Sequence, residues 1–370
     1  MASTTPTSNT GYTVPSTATD ITHLTKTSLP VPVPGPQQVL VRLTAAALNY
    51  RDFLIASRSP RYPGSHKADL VPGSDGAGAI HSAHPSSRFA SNVGLSVAVH
   101  PNSWLDGDVR NLKFNEVLGG FSADGTLQEY LVVDDEQIIP APKGWKGEEV
   151  AGLFTAGTTA WAAIRELLDG RLDGTLGGWE GDWKEKRLEG KWVLTQGTGG
   201  VSCAAIQIAS TLGATVIATS SSDEKLDIAK SIGAKYVINY KKTPEWDEEV
   251  LRITGGTGVD QVIEVGGAQT IIQSLRSTRP GGLISVIGIL SDADIIPPEL
   301  IPAVLFGGKI VKGCVSFSRD ISAEFVKFSE VNNFKPVVSK IFSFDQVVES
   351  FEALQKQNSV GKLVVRISED

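Results

Sequence analysis

The segment Lys191–Gly213 (KWVLTQGTGGVSCAAIQIASTLG) constrains the fold more than any other part of the chain. An apolar run, Lys191 to Gln196, leads straight into Gly197-Thr198-Gly199-Gly200-Val201-Ser202, and small apolar residues follow from Val201 to Leu212. That order predicts a buried strand, a tight turn and a helix. One glycine of such a turn permits the bend and another lets a pyrophosphate lie against the backbone, while the helix N-terminus offers N–H donors and partial positive charge. The third fingerprint position, usually Gly or Ala, holds Ser202, so the pattern is imperfect and needs its context to be specific. The context is a repeat: Ala214–Thr219, Tyr236–Tyr240, Gln261–Val265, Leu283–Ile289 and Ile310–Cys314 all read as strands. A helix is expected over Ser222–Ile232, with Asp223 and Glu224 near its start as the helix dipole favours. Short apolar strands alternating with helices argue for an α/β, doubly wound parallel sheet of the Rossmann type.

The earlier part of the chain has a different texture. Residues 12 to about 145 are rich in Pro and Gly, with short β-type runs at Gln38–Leu43, Ser96–His100 and Leu127–Val133, which suits a mostly antiparallel, barrel-like domain. At 370 residues the chain has room for two domains. Between a helix-like stretch, Gly157–Leu168, and the Lys191 strand lies Asp169–Gly190, dense in Gly, Trp and charge and read as an exposed excursion.

The end of the second strand selects the dinucleotide. An NAD site usually places a carboxylate there for the ribose 2′-OH. This chain has Ser220-Ser221-Ser222, with Lys225 one turn into the helix and Tyr240 closing the third strand. Hydroxyls and an ammonium hold a 2′-phosphate that a carboxylate would repel, so NADPH is the expected cofactor. The same serines also suit capping of the following helix, and the two roles can coexist.

Other partners are disfavoured. The formal net charge is −7, and no Lys/Arg-rich run of five or more occurs, which argues against nucleic acid and anionic membrane. Apolar runs such as Gly282–Leu290 fall far short of the roughly 20 residues that span a bilayer. Met1–Thr10 is polar and lacks the make-up of a secretion signal, so a cytoplasmic protein is the default expectation. Cys203 and Cys314 stand alone, which excludes a disulfide framework and a four-Cys zinc lobe, and both read as small buried hydrophobes.

With these motifs in order, the chain resembles the medium-chain dehydrogenase/reductase superfamily, and within it the zinc-independent quinone oxidoreductase-like and enoyl reductase-like branch. The residues that carry the resemblance are Ala47-Leu48-Asn49-Tyr50-Arg51-Asp52, Val71 to Gly78 (VPGSDGAG), Thr155 to Trp161 (TAGTTAW), the Gly197–Ser202 loop, Ala218 to Lys225, Val237 to Tyr240 and Gly361-Lys362. The resemblance implies a GroES-like barrel over residues 1–148 and 309–370, a Rossmann domain over 149–308 carrying the excursion at about 169–190, an active site in the cleft between them, and possible pairing of two copies through the edge strand of the nucleotide domain. It also exposes departures. The first catalytic zinc ligand of the family's alcohol dehydrogenases falls near Asn49 and its Gly-His-Glu histidine on Ser74, so neither thiolate nor imidazole is present, and Asn102 to Gly120 contains no Cys. His66, His81, His84 and His100 do not space as a ligand set and are expected at the surface or in turns.

Without a Lewis acid, hydride from NADPH needs an acceptor already electrophilic at carbon: an enone, an enoyl thioester or a quinone. The resemblance implies that Asn49 and Asp52 line the nicotinamide side, with Tyr62 as the leading proton donor and Tyr50 as the other local phenol. Asn49 read on its own is equally a turn former, and Asp52 equally an ion-pair partner of Arg51 or Arg58. Thr158, Gly266-Gly267 and Gly288-Ile289 would meet the nicotinamide half, because ligands sit at strand C-terminal ends. Lys362 and Gly313 to Ser316 would close over it. Two further readings stay open: a zinc-free alcohol or carbonyl dehydrogenase, and an NADPH-binding protein with little turnover.

Overall fold

Apolar residues run almost without interruption along Gln38–Leu48, and this strand becomes the spine of one half of the molecule. In the computed structural model, which describes residues 6–170, 178–291 and 295–369, the chain forms two units. One comprises Met1–Ala156, Ser318–Val326 and Lys335–Asp370, and the other Gly157–Phe317 and Lys327–Phe334.

The first unit opens with a two-stranded antiparallel ribbon of β1 (Asn9–Thr13) and β2 (Thr25–Leu29). β3 (Gln38–Leu48) follows, then helix α1 (Tyr50–Ala56) and strands β4 (Asp75–Ala83), β5 (Ser96–Val99), β6 (Tyr130–Asp134) and β7 (Ile138–Pro140). Helix α2 (Gly147–Leu153) leads out of this run. β4 pairs along most of β3 on one edge; on the other edge β6 takes the Gln38–Arg42 half and β15 (Lys362–Arg366) the Ala45–Leu48 half, all antiparallel. β14 (Val338–Ser343) adds to β15 in parallel. Pairing on both edges satisfies the backbone of β3, and nearly all its side chains are buried, Arg42 being the exposed one; the core forms around Val39, Val41, Leu43, Val97, Val99, Leu127 and Phe351.

A π-helical turn, Phe154–Thr158, introduces α3 (Thr159–Asp169), and the second unit then alternates: β8 (Trp192–Gln196), α4 (Gly200–Thr211), β9 (Thr215–Ser220), α5 (Asp223–Ser231), β10 (Tyr236–Asn239), α6 (Trp246–Ile253), β11 (Val259–Glu264), α7 (Ile271–Ser277), β12 (Thr278–Val286), α8 (Leu300–Gly307) and β13 (Ile310–Gly313). The six strands form one parallel sheet in the order β10-β9-β8-β11-β12-β13. Every residue of β11 is buried, as a strand covered on both faces requires. The order reverses at β8, so the first βα turn opens at the switch point where open α/β sheets bind ligands. α9 (Arg319–Asn332) and α10 (Val347–Gln355) complete the chain.

The GroES-like plus Rossmann expectation holds. Two details differ. β12 starts at Thr278 and stops at Val286, whereas the apolar run pointed to Leu283–Ile289. At its start an irregular register against β11 accommodates Pro280-Gly281-Gly282, and at its end the N–H groups of Ile287 and Gly288 turn to the Glu264 carbonyl, which takes the chain out of the ladder. His100, expected at the surface, is fully buried, with Nε2 3.2 Å from Asn102 Oδ1 and Nδ1 3.2 Å from Ser322 Oγ. Its second partner lies 222 residues away, beyond the reach of any local pattern. The Asp169–Gly190 excursion falls partly outside the described residues, at 171–177. Residues 178–190 are mostly exposed but pinned: the Trp179 ring lies 5.4 Å from Trp161, 5.0 Å from Trp183 and 4.6 Å below the Arg187 guanidinium.

Candidate functional site

In the second unit the turn after β8 has the backbone a phosphate cradle needs. Gly197 adopts φ +69°, a left-handed conformation in which an L side chain is strained. A Cβ built on Gly197 or Gly199 would project into open space, so the surface above both is bare backbone. Gly200 and Val201 begin α4 and present its first N–H groups. Ser202, the imperfect fingerprint position, is buried and donates through Oγ to the Gln196 carbonyl at 2.6 Å, tying the helix to the end of the strand. Thr198 is buried beneath the loop and its carbonyl accepts from Cys203 Sγ at 3.3 Å.

Pairing of β9 with β10 sets Asn239 against Ser220, and the Tyr240 N–H donates to the Ser220 carbonyl at 3.1 Å. Ser220, Ser221, Lys225 and Tyr240 therefore gather at one corner. Ser222 Oγ accepts from the Lys225 N–H at 3.3 Å, so the N-cap role falls to this serine of the three. Two carboxylates lie near this corner, Asp223 and Glu224. Asp223 is taken up by Lys242 Nζ and by Asn239 Nδ2 at 2.7 Å, which hold its carboxyl below the usual range, and Glu224 is held low by its own backbone N–H and by the Ser222 hydroxyl. Partial burial, with the neighbouring Lys241 ammonium, pushes Lys225 below its ordinary 10.5.

At the C-terminal ends of β11 and β12 the structure brings two further expected segments together. Ser291 N donates to the Gly266 carbonyl at 2.8 Å, and a Cβ on Gly267 would lie 3.4 Å from Ile289 Cα beside Gly288. Thr158 closes the π-helical turn; its Oγ1 is buried and has no hydrogen-bond partner. A buried hydroxyl without a partner carries a cost that a bound amide or hydroxyl would relieve. Together, the bare glycine turn and this orphaned oxygen fit a dinucleotide. Sequence reasoning missed Gln196 and Glu264, which knit these loops together; the available signal was an ionisable residue ending a wholly buried strand just before Gly266-Gly267.

In the first unit Asn49 caps α1, and the Asp52 carboxylate returns to the Asn49 N–H at 2.9 Å. Both Asp52 oxygens are occupied, the second by Arg51 Nη1 at 2.9 Å, and burial pushes its carboxyl up against the pull of Arg51. Asp52 is a capping and pairing residue in this arrangement. The Asn49 amide belongs to a buried polar set. Its Nδ2 donates to Asp75 Oδ2 at 3.0 Å and Ser74 Oγ at 3.2 Å, and its Oδ1 accepts from Lys362 Nζ at 2.6 Å. The Lys362 ammonium also donates to the Leu48 carbonyl at 2.8 Å and lies 3.3 Å from Asp75 Oδ2. Thr155 donates to the other Asp75 oxygen through N, at 3.2 Å, and Oγ1. Tyr62 is half-buried, 11 residues from Arg51, whose Nε donates to the phenolic oxygen at 3.3 Å and leaves the Tyr62 hydrogen free to point elsewhere. His66 and Phe121 flank it, with ring centroids 5.9 and 6.0 Å away. Tyr50 stands apart from this group, half-buried with its ring 5.7 Å from Phe53.

Residues 35–143 match the alcohol dehydrogenase GroES-like domain and residues 200–330 the zinc-binding dehydrogenase family. A zinc-type alcohol dehydrogenase-like protein of Schizosaccharomyces pombe is 37% identical over 336 residues, spanning 90% of this chain and 92% of the relative. The solved structure of an NAD-dependent alcohol dehydrogenase matches with 28% identity and a TM-score of 0.83, over 97% of this chain and 100% of that one. A crotonyl-CoA carboxylase/reductase variant in complex with NADP, at 19% identity, shares the fold with a TM-score of 0.82 over 100% and 97% of the two chains. Fold and sequence thus define an oxidoreductase built from a GroES-like and a nucleotide-binding unit. The chain belongs to the medium-chain dehydrogenase/reductase superfamily. Among the described residues no helix is long and apolar enough to cross a membrane.

Proposed function

We propose that the protein is an NADPH-dependent reductase of an activated carbon–carbon double bond or a quinone, working without zinc. The observation that carries this reading is the Lys362–Asp75–Asn49 set. Its members Asn49 and Asp75 adjoin the positions where the family's alcohol dehydrogenases keep their metal ligands, and a lysine ammonium already neutralises the carboxylate. Asn49 and Ser74 offer no thiolate or imidazole, and among the described residues no group of three His, Cys, Asp or Glu is placed to hold a metal ion. This donor set does not fit a tetrahedral zinc, so no step is routed through one.

The coenzyme, when bound, supplies hydride. Gly197, Thr198, Gly199, Gly200 and Val201 would hold its pyrophosphate on bare backbone and helix N–H groups. Ser220, Ser221, Lys225 and Tyr240 would hold the 2′-phosphate, with Asp223 engaged by Lys242 and Asn239. Thr158, Gly266, Gly288 and Ile289 position the nicotinamide end. Tyr62, its oxygen held by Arg51, gives its proton to the substrate carbon or enolate oxygen. Lys362 and Asp52 hold Asn49 and the start of α1 in place rather than touching substrate.

A second reading is a zinc-free alcohol or carbonyl dehydrogenase; the names of the relatives, zinc-type alcohol dehydrogenase-like and alcohol dehydrogenase, favour its alcohol chemistry but not its freedom from zinc. One panel separates the two: purified protein is given NADPH or NADH with enones, enoyl thioesters, quinones, ketones and aldehydes, and its metal content is measured. The reductase reading expects turnover with conjugated acceptors, a preference for NADPH and less than stoichiometric zinc. Turnover confined to simple carbonyls, or activity abolished by chelation and restored by zinc, overturns it.

A second copy of the chain is the proposed partner. β13 leaves one edge of the parallel sheet open, and α8 beside it exposes Ile301, Leu305 and Phe306, the last at 85%. Light scattering should find a dimer that Phe306→Glu dissociates; a monomeric parent protein overturns this.

A further inference from the structure

Glu264 ends β11 and is wholly buried, yet it has no part in the functional reading above. Its Oε1 accepts from the N–H groups of Gly266 at 2.8 Å and Gly267 at 2.9 Å and from Thr270 Oγ1 at 2.6 Å. Its Oε2 accepts from Gln196 Nε2 at 2.8 Å and from Ser274 Oγ. Gln196 is the residue before Gly197, and its Oε1 accepts in turn from the N–H groups of Val265 at 3.1 Å and Gly266 at 3.3 Å. The Glu264 carbonyl accepts from Ile287 N and Gly288 N. One residue therefore fixes three loops at the strand C-terminal ends: the phosphate turn, Val265–Gly267 and Ile287–Gly288.

All five donors to the carboxylate are neutral: two backbone amides, two hydroxyls and a carboxamide. Hydrogen bonds of this kind satisfy the oxygens without cancelling their charge. A unit negative charge thus stays in the low-dielectric interior directly beneath the loops assigned to the nicotinamide end. Such a charge interacts strongly with a pyridinium and weakly with an uncharged dihydropyridine.

We infer that Glu264 sets the redox bias of the bound coenzyme, favouring the oxidised form over the reduced form and so making the bound reduced coenzyme a better hydride donor. Glu264 is a positioning residue with an electrostatic function, and this role rests on the nicotinamide reading of the Gly266 and Gly288 loops. It also explains a pairing that would otherwise be wasteful. A glutamine at 264 and a glutamate at 196 would satisfy the same backbone amides, but the charge would then sit at the phosphate turn, where it would repel the pyrophosphate.

The test measures dissociation constants of NADP⁺ and NADPH, and of NAD⁺ and NADH, by tryptophan quenching on the full chain and on two variants. Glu264→Gln should weaken the oxidised form about tenfold more than the reduced form. By the thermodynamic cycle, that raises the two-electron potential of the bound couple by about 30 mV. Glu264→Asp, which keeps the charge while disturbing the hydrogen bonds, should weaken both forms and leave their ratio within about twofold of the parent. It also serves if the glutamine variant fails to fold: a ratio in Glu264→Asp that moves as far as the individual constants overturns the inference, as does an unchanged ratio in Glu264→Gln. Failure of the parent protein to bind either coenzyme pair refutes the nucleotide reading instead, a separate and recognisable result.

Discussion

Replacing Lys362 with methionine is the sharpest probe of the buried set around Asp75. Methionine keeps the apolar stem and removes the ammonium, along with its bonds to the Leu48 carbonyl at 2.8 Å and Asn49 Oδ1 at 2.6 Å and its 3.3 Å approach to Asp75. The Asp75 carboxylate is left fully buried without a cation. Breaking one partner of a buried pair costs about 3–5 kcal/mol. Three neutral donors remain on Asp75, namely Asn49 Nδ2 and the N and Oγ1 of Thr155, which places the expected loss near the lower end, about 3 kcal/mol. For a unit of this size that is roughly 6–12 °C in Tm. Urea unfolding of Lys362→Met, Asp75→Asn and the double variant measures the coupling. Neutralising Asp75 in the Lys362→Met background should restore at least about 1.5 kcal/mol, because the orphaned charge is what destabilises the single variant. A Lys362→Met loss below about 1 kcal/mol, or a double variant no more stable than the single, refutes the reasoning. Zinc would have to displace the ammonium from Asp75 to bind here, so added zinc should leave the melting temperature of the parent protein without the rise that a native-state metal site produces.

Four further outcomes follow from the geometry. Lys225→Ala should weaken NADPH about tenfold to a hundredfold and leave NADH within about twofold, read by fluorescence titration. Because Lys225 must be protonated to hold a phosphate and is depressed by burial and Lys241, NADPH affinity should fall as pH rises, starting below 10.5, while NADH affinity stays flat over the same range. His100 is lowered from 6.5 to about 3 by burial, so below pH 6.5 the unfolded chain binds the extra proton and stability falls with acid; the loss is roughly 2 kcal/mol by pH 5, and His100→Gln should remove that part of the slope in urea melts at pH 7 and 5. Tyr62→Phe should lower kcat with conjugated acceptors about a hundredfold and leave the NADPH dissociation constant unchanged; an unaltered kcat removes Tyr62 as the acid.

The periodicity of the chain carried the architecture. Short apolar strands spaced by helical stretches leave a parallel sheet as the one layer that buries them, and the Gly197–Ser202 turn falls at its switch point. The positions of Ser220, Lys225 and Tyr240 were legible for the same reason: all lie within a residue or a turn of a strand end, where local sequence sets position. The excursion after Asp169 was read by composition alone, and its anchoring by Trp179 on Trp161 depends on how the chain folds back onto the preceding helix α3.

What the sequence by itself determined was the class of the fold, the place of the glycine turn proposed to hold phosphates and the residue types available for chemistry, because these depend on backbone sterics, burial periodicity and the spacing of neighbours. Tertiary structure alone decided which groups face one another. Lys362 meets Asn49 across 313 residues, His100 meets Ser322 across 222, and Gln196 meets Glu264 across 68. Buried polar groups must find partners wherever the fold brings them, and no local pattern encodes a partner whose distance along the chain is set only by how sheets and loops close.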